Sequence, residues 1–252
     1  MKRNMKNLLF LTILSSTVFF GCRKDTEIKC KNYVSVHFNN HVSGNDILFD
    51  TLAYTNAAGE LYSFSILKYY VSHVTLVQDN GNKVELYSHE LIDEANELST
   101  FLDRIEIPEG HYTTIEFNLG VDSIHNHSGD QVGDLDPING MIWTWNTGYI
   151  FYKHEGNFIS STSGSAQPLV YHYGTDNGLL SLALPISMHA FNSNHSIRID
   201  FDINKAYGVN GVLIPFTNNN NHQSVSVDDL PWINKMKDNF GQSFGASVFT
   251  FE

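Results

Sequence analysis

The sequence predicts an all-β fold, an antiparallel sandwich or barrel-like single domain with short helical insertions. Several segments alternate apolar and polar residues with the period of a β-strand. Loops rich in Gly, Asn and Asp separate these segments at short intervals, as they do in sandwiches and barrels. Helical patterns are few, and no internal repeat is present. A chain of this length builds a single undivided domain of this class with a sizeable core.

The predicted strands follow one another along the chain. SIRIDFDIN (196–204) alternates most clearly, because its apolar residues from Ile197 to Ile203 fall on one face and its charged residues on the other. The segment 65–78 is rich in β-branched and aromatic residues, and DNGNK (79–83) is a hairpin turn signal that leads into a further strand, VELYS. The other predicted strands are YVSVHF (33–38), HYTTIEFNLG (111–120) and the C-terminal ASVFTFE.

Two segments carry helical patterns. The first is ELIDEANELSTFL (90–102). The second is DDLPWINKMK (228–237), where Asp228 or Asp229 is placed to cap the helix. Both are short, so we expect them to be insertions between strands.

The N-terminus has the pattern of an export signal. Lys2, Arg3 and Lys6 precede the apolar run NLLFLTILSSTVFF, which ends at Gly21-Cys22. The run is too short, and too soon followed by RKDTE, to predict a spanning helix. Its ending resembles a bacterial lipoprotein signal, in which Cys22 becomes the lipidated N-terminus. The alternative is a plain secretory signal cleaved nearby. We interpret 1–22 as the signal peptide and 23–31 as a tether.

The protein is therefore expected outside the cytoplasm, lipid-anchored to a bacterial membrane and most simply to the outer one, facing the periplasm or the cell surface. If Cys22 carries lipid, Cys30 has no partner for an intrachain disulfide. Removing the three N-terminal basic residues from the 15 Lys and Arg leaves 12 against 27 Asp and Glu, a formal charge of −15. Such a surface argues against nucleic acid as a partner and is compatible with metal ions.

The sequence does not predict an enzyme. It contains no Walker loop, no dinucleotide fingerprint, no GxSxG and no HExxH motif. No pair of carboxylates is placed in a way that nominates a glycosidase. A binding protein is the better prediction.

Histidine is the abundant metal-binding residue, with 12 in the chain. His125 and His127 form an H-x-H pair that would share a face on an extended backbone. His172 lies near the end of a predicted strand, and His41 lies where a strand gives way to a turn. Each alone is more often a hydrogen-bonded or surface histidine. Two or three brought together would form a borderline site, to which Met141 or Met188 would add sulfur for Cu(I).

The loop around the H-x-H pair is also rich in aspartate. Its carboxylates, Asp122, Asp130, Asp134 and Asp136, would suit calcium. Their spacing does not match an EF-hand, and a solvated loop with local side-chain turns is the alternative.

One block of sequence is unusual in combination, LDPINGMIWTWNTGYIF (135–151), which holds two of the three tryptophans. Together with 54–72, 110–123 and LVYHYG (169–174), it resembles the MbnP-like family of exported bacterial copper-binding proteins, first recognised beside methanobactin genes. The resemblance runs in order from about His37 to the C-terminal strand. It implies an MbnP-like β domain over 32–252.

The resemblance implies a Cu(I) site built from histidines and a kynurenine, which a diheme cytochrome c peroxidase-like partner makes from a tryptophan by opening the indole ring. The lone pair of an indole nitrogen belongs to the aromatic system and does not bind metal, whereas the aryl amine left by ring opening does. The modified position matches Trp143 or Trp145. The implied histidine ligands are His172 first, His41 second and His127 third, with Met141 beside them.

The leading hypothesis is thus a membrane-anchored copper-binding protein in copper acquisition, storage or delivery, working with that maturation enzyme and with an outer-membrane transporter. The alternative is a glycan- or peptide-binding surface lipoprotein, stabilised by calcium, whose tyrosines and tryptophans would be stacking platforms. The β-branched and aromatic residues around Trp143 and Trp145 favour burial over display.

Overall fold

The all-β prediction is confirmed. In a computed structural model the described residues are 31–144, 147–160, 162, 164–217 and 220–251. Lys31–Glu252 forms one compact unit made mainly of strands. Within the described part of the chain, no helix has the length and apolar character needed to cross a bilayer. The predicted signal peptide, the lipidation residue Cys22 and the tether up to Cys30 lie outside the described residues.

The strands are numbered in chain order. They are β1 (Asn32–Val42), β2 (Asn45–Asp46), β3 (Tyr54–Thr55), β4 (Leu61–Tyr62), β5 (Ile66–Gln78), β6 (Lys83–Asp93), β7 (Phe101–Ile107), β8 (Gly110–Leu119), β9 (Ile142–Thr144), β10 (Gly148–Ile159), β11 (Ala166–Gly174), β12 (Leu180–Ala190), β13 (Asn194–Asp202), β14 (Gly208–Val209), β15 (Val212–Leu213), β16 (Asn221–Gln223) and β17 (Phe244–Phe251). The α-helices are α1 (Ser123–Asn126), α2 (Ile203–Tyr207) and α3 (Leu230–Phe240).

Two curled sheets carry most of these strands. The smaller has the order β17-β13-β1-β2, and β1 runs parallel to β13. β7 pairs with the same edge of β1 as β2 does, nearer the start of the strand. The larger has the order β12-β8-β5-β10-β11-β16, with β6 also paired to β5 and β9 paired to β10. Most pairs are antiparallel, and the parallel exceptions are β1 with β13 and β11 with β16. The core lies between the two sheets.

The core is unusually aromatic. At least nine of the 12 tyrosines are fully buried, and their rings meet mostly edge to face. His154 lies at the centre of this group: its Nε2–H donates to the Ser63 carbonyl at 3.0 Å, so its Nδ1 accepts from the Tyr207 hydroxyl at 2.5 Å. Burial lowers the pKa of His154 to about 4. A neutral, fully hydrogen-bonded imidazole therefore takes the place of an apolar side chain here.

The predicted helix over 90–102 is wrong. β6 continues to Asp93, a 3-10 turn spans Glu97–Thr100, and β7 begins at Phe101. Pairing with β5 extends through Asp93. The backbone N–H and C=O groups of this part of the segment therefore hydrogen-bond to the neighbouring strand and not within a helix. The predicted strand at 196–204 also ends early, at Asp202, whose side chain accepts from Asn204 N and caps α2.

The second predicted helix is present as α3, which begins two residues after the predicted start. Ser226 and Asp229 form a capping box around the preceding 3-10 turn, in which Ser226 Oγ accepts from Asp228 N and Asp229 accepts from Ser226 N. The predicted C-terminal strand is present as β17.

Candidate metal centre

A bulge in β5 begins the candidate site. The pairing of β5 with β8 shifts between Ser72 and Thr75, so two residues of β5 lie opposite one residue of β8. His73, inside this bulge, has φ +53°, a left-handed conformation that is uncommon for a residue other than glycine. Thr75 Oγ1 donates to the His73 carbonyl at 2.9 Å and holds the distorted backbone. Bulges of this kind re-aim a side chain, here an imidazole.

The neighbouring strand supplies a second imidazole. The hairpin between β5 and β6 places His89 opposite Ser72, and the rings of His73 and His89 lie 5.4 Å apart. The side chain of His89 is 7% exposed and that of His73 is 43% exposed. The pair is therefore anchored on the His89 side and open to solvent on the His73 side.

Asp122 completes the cluster from a third element. It is the N-cap of α1, just after β8, and its Oδ1 accepts from the backbone N of Ile124 and of His125. This fixes its other oxygen, Oδ2, toward the imidazoles. Oδ2 lies 2.8 Å from His89 Nε2, 2.7 Å from His125 Nδ1 and 3.4 Å from His73 Nε2. Three ring nitrogens thus converge on one carboxylate oxygen.

The far nitrogens of the two strand histidines have partners of their own. His73 Nδ1 lies 2.9 Å from Glu85 Oε1, and His89 Nδ1 lies 2.8 Å from Ser88 Oγ. Metal-binding histidines usually have such an outer hydrogen bond, which fixes the ring and leaves the other nitrogen for the ion. The ring of His73 therefore lies between two carboxylates, with Nδ1 facing Glu85 and Nε2 facing Asp122. A cation bound near Nε2 would separate this nitrogen from the carboxylate and interact with both.

The pKa shifts in the cluster set the protonation states of its side chains. Burial lowers the pKa of His89, and the nearby His125 and His73 lower it further against the opposing effect of Asp122. Burial also opposes ionisation of Asp122, but hydrogen bonds from His125 and His89 outweigh it and hold the pKa of its carboxyl well below the usual value. At neutral pH the centre therefore holds an ionised carboxylate and a neutral imidazole, which are ligand forms of both groups.

Among the described residues, His73, His89 and Asp122 are the group whose ligand atoms lie close enough together to hold one metal ion. We call these three residues, with His125 beside them, the His–Asp cluster. A cavity of about 410 Å³ opens beside His73, lined in part by Thr75, Asn118 and Ser181. The centre is accessible from this side.

The tryptophan block lies next to the helix that carries His125. Gly148 pairs with Thr144 across the β9–β10 hairpin, and Asn126 Oδ1 accepts from Tyr149 N at 2.7 Å. A Cβ at Gly148 would lie 2.2 Å from Asn126 Oδ1, so the close approach requires glycine. Asn126 Nδ2 in turn donates to Asp176 at 2.8 Å, which ties α1 to the turn after β11. The hairpin and the His–Asp cluster are thus held together through α1.

The comparison with known families confirms the resemblance to the MbnP family. The sequence profile of the MbnP family matches residues 31–229. The chain belongs to the MbnP family. The solved structure of MbnP from Methylosinus trichosporium is similar to 70% of this chain and 77% of that chain, with 17% identity and a TM-score of 0.45. No curated protein matches the sequence.

The histidines that the MbnP resemblance nominated lie outside the His–Asp cluster. His172, on β11, has Nε2 2.8 Å from Glu155 Oε1, and its Nδ1 is buried without a hydrogen-bond partner among the described residues. His41 Nδ1 accepts from Gly44 N at 3.0 Å and lies 4.0 Å from Asp202. His127 Nε2 lies 3.1 Å from both oxygens of Asp176. Their role as ligands stays a prediction.

The H-x-H pair is not extended. His125 lies in α1 and His127 is its C-cap, so the two rings turn to different carboxylates, Asp122 and Asp176. Two of the aspartates considered for calcium accept backbone hydrogen bonds. Asp134 Oδ2 accepts from Leu91 N, and Asp136 Oδ1 accepts from Ile138 N. The first joins the loop to β6, and the second stays within its own turn.

Of the tryptophan block, Met141 is buried in the core, with 1% of its surface exposed. Trp143 is partly buried and packs against Gly174 of β11, and its indole N–H is buried with no hydrogen-bond partner among the described residues. Trp145 lies outside the described residues.

Sequence reasoning missed His73 and His89, although a signal for both exists. The apolar positions of β5 change phase between Val71 and Val74, which indicates a bulge at His73. The predicted turn at 79–83 then places His89 near His73 across the hairpin.

Proposed function

We propose that this chain is an exported copper-binding protein and that the His–Asp cluster holds the copper, through Nε2 of His73 and of His89. The observation that carries the proposal is the convergence of three imidazole nitrogens on Asp122 Oδ2, at 2.7 to 3.4 Å. Membership of the MbnP family supports copper as the ion. The outer partners Glu85 and Ser88 support Nε2 as the binding atom of each ring.

The donor set fits copper. Imidazole binds copper well, whereas Asp122 is a harder ligand that also suits divalent ions such as Zn²⁺. A further nitrogen donor would shift the preference toward Cu(I). The proposal takes this donor from a kynurenine made from Trp143 or Trp145, because the aryl amine of kynurenine has a usable lone pair.

The remaining parts of the proposal rest on the family and on the N-terminal sequence. A diheme cytochrome c peroxidase-like enzyme would make the kynurenine, and Cys22 would carry the lipid anchor on the outer membrane. An outer-membrane transporter would exchange copper with the protein. The chain itself binds copper in acquisition, storage or delivery and is not proposed to be an enzyme.

Native protein from its own host provides the test. Its metal content and Cu(I) affinity would be measured by competition with a chromophoric chelator, and the peptide spanning 140–153 would be analysed by mass spectrometry. The proposal expects one bound copper per chain, and a gain of two oxygens with loss of carbon monoxide on Trp143 or Trp145. Native protein without copper and without Cu(I) affinity would overturn the copper function. Copper binding with intact tryptophans would remove the kynurenine alone.

The glycan-binding alternative finds little support in the core. It requires exposed aromatic platforms, but most of the tyrosines are buried and Trp232 is 7% exposed. The Trp143 ring packs against β11.

A further inference from the structure

A second pair of histidines faces each other across the other end of the large sheet. His111 on β8 and His189 on β12 are directly opposite in the antiparallel register. Their rings are stacked, with centroids 4.1 Å apart and planes 7° from parallel. Side chains at directly opposite positions have their Cβ atoms about 5 Å apart, a spacing that lets two imidazoles bind one ion.

An aspartate lies on the outer side of His111. Asp79 Oδ2 is 3.4 Å from His111 Nδ1, and Asp79 N donates to the His111 carbonyl at 3.0 Å, which fixes the turn against β8. The carboxylate favours the neutral tautomer with its proton on Nδ1. This leaves the lone pair on His111 Nε2.

His111 Nε2 is the observation that points to a ligand. The atom is buried and has no hydrogen-bond partner among the described residues. A buried polar atom without a partner is rare in a folded protein, and a bound ion would satisfy the lone pair of this nitrogen. A histidine with one ring nitrogen facing a carboxylate and the other without a partner has the arrangement that metal-binding histidines usually adopt.

The pair is open to solution on its other side. His189 is exposed, and the side chains of His111 and Asp79 are 31% and 58% exposed. An exposed ring such as His189 turns about its side-chain bonds at little cost, so its nitrogen would converge on the same point as His111 Nε2. Water would complete the coordination. The pair is separate from the His–Asp cluster, since Asp79 lies about 20 Å along β5 from His73.

We propose that His111 and His189 form a second metal-binding site, for a borderline divalent ion such as Zn²⁺ or Ni²⁺, with Asp79 orienting His111. Two imidazoles with water in the remaining positions suit these ions, and the acidic surface of the chain, with formal charge −12, raises their local concentration. The proposal does not depend on copper at the His–Asp cluster.

The test uses the full mature chain carrying His73→Gln and His89→Gln, so that the His–Asp cluster no longer competes. Zn²⁺ and Ni²⁺ would each be titrated calorimetrically into this protein and into versions that also carry His111→Gln or His189→Gln. His37→Gln is the matched control, because His37 is another strand histidine with a stacked ring, on Phe101, and it lies in the smaller sheet. Thermal unfolding of each metal-free variant would confirm that the fold is intact.

The proposal expects one saturable ion in the background protein, lost in both His111→Gln and His189→Gln and kept in His37→Gln. Asp79→Asn should weaken binding by roughly 10- to 100-fold, as loss of an outer carboxylate usually does. No binding in the background protein would overturn the proposal. Equal binding in all folded variants would overturn it as well, because the ion would then lie elsewhere.

Discussion

Nε2 of His89 lies 2.8 Å from Oδ2 of Asp122, and this contact joins β6 to the N-cap of α1. The same carboxylate caps α1 with its other oxygen. One side chain therefore caps the helix beside the tryptophan hairpin and faces the candidate ion. Metal binding and local structure are linked at Asp122.

Two substitutions separate these roles. Asp122→Asn keeps a good N-cap but removes the charge, so we expect a large loss of metal affinity. It should also lower the free energy of unfolding of the metal-free protein at neutral pH, because the lowered pKa of Asp122 means that its ionised form stabilises the folded chain. Asp122→Ala should lose the same affinity and in addition about 1 kcal/mol of stability. Competition titrations and urea unfolding would measure the two effects. Unchanged affinity in both variants would remove Asp122 from the site.

The bulge at His73 makes a second prediction. Asn tolerates the left-handed conformation, φ +53°, better than a β-branched residue does. His73→Val should therefore lower the free energy of unfolding by about 1 to 2 kcal/mol more than His73→Asn, while both lose the metal ligand. Urea unfolding of the two metal-free variants is the measurement, and equal stabilities would contradict the role assigned to the bulge.

Gly148 tests the link between the tryptophan hairpin and the cluster. Gly148 and Gly140 both have left-handed φ, +86° and +68°, but a Cβ would meet Asn126 Oδ1 at 2.2 Å only at Gly148 and nothing within 4 Å at Gly140. Gly148→Ala should thus destabilise more than Gly140→Ala and also weaken metal binding, because it displaces α1. Stability and affinity would be measured for both variants. Equal effects on affinity would show that the hairpin does not position the site.

His154 predicts the acid sensitivity of the fold. The pKa of His154 is lowered to about 4 in the folded protein, whereas its ordinary value is near 6.5. Between about pH 4 and pH 6.5, the unfolded chain therefore binds a proton at this residue that the folded chain does not bind. This group therefore contributes stability that is present above about pH 6.5 and is lost as the pH falls toward 4, on the order of 3 kcal/mol. In His154→Gln, unfolding measured at pH 7 and pH 4.5 should differ less than in the unmodified protein. The same pH dependence of stability in His154→Gln and in the unmodified protein would contradict this role of His154.

The alternation of apolar residues was enough to predict most strands and the fold class. Ile197, Ile199 and Phe201 are fully buried, as their spacing requires. The helix prediction for 90–102 was wrong because the charged residues of this segment are spaced as in a helix. Pairing with β5 makes its first part a strand, and this pairing cannot be read from the local sequence. Long-range pairing of this kind overrides local propensity.

The candidate site was harder to predict than the fold. His73 and His89 lie in strands whose polar positions look like an ordinary solvent face, and Asp122 looks like one member of an acidic loop. Their convergence depends on a bulge, a hairpin register and a helix cap acting together. The sequence contains a signal for each of these features separately. The contact between the three side chains depends on all of them together in the folded chain.

The most direct test of the account compares two double variants of the mature protein in a Cu(I) competition titration. One carries His73→Gln and His89→Gln, and the other carries His41→Gln and His172→Gln. With copper at the His–Asp cluster, the first double variant loses high-affinity copper and the second keeps it. Copper retained by the first double variant and lost from the second would contradict the assignment of the metal centre to the His–Asp cluster.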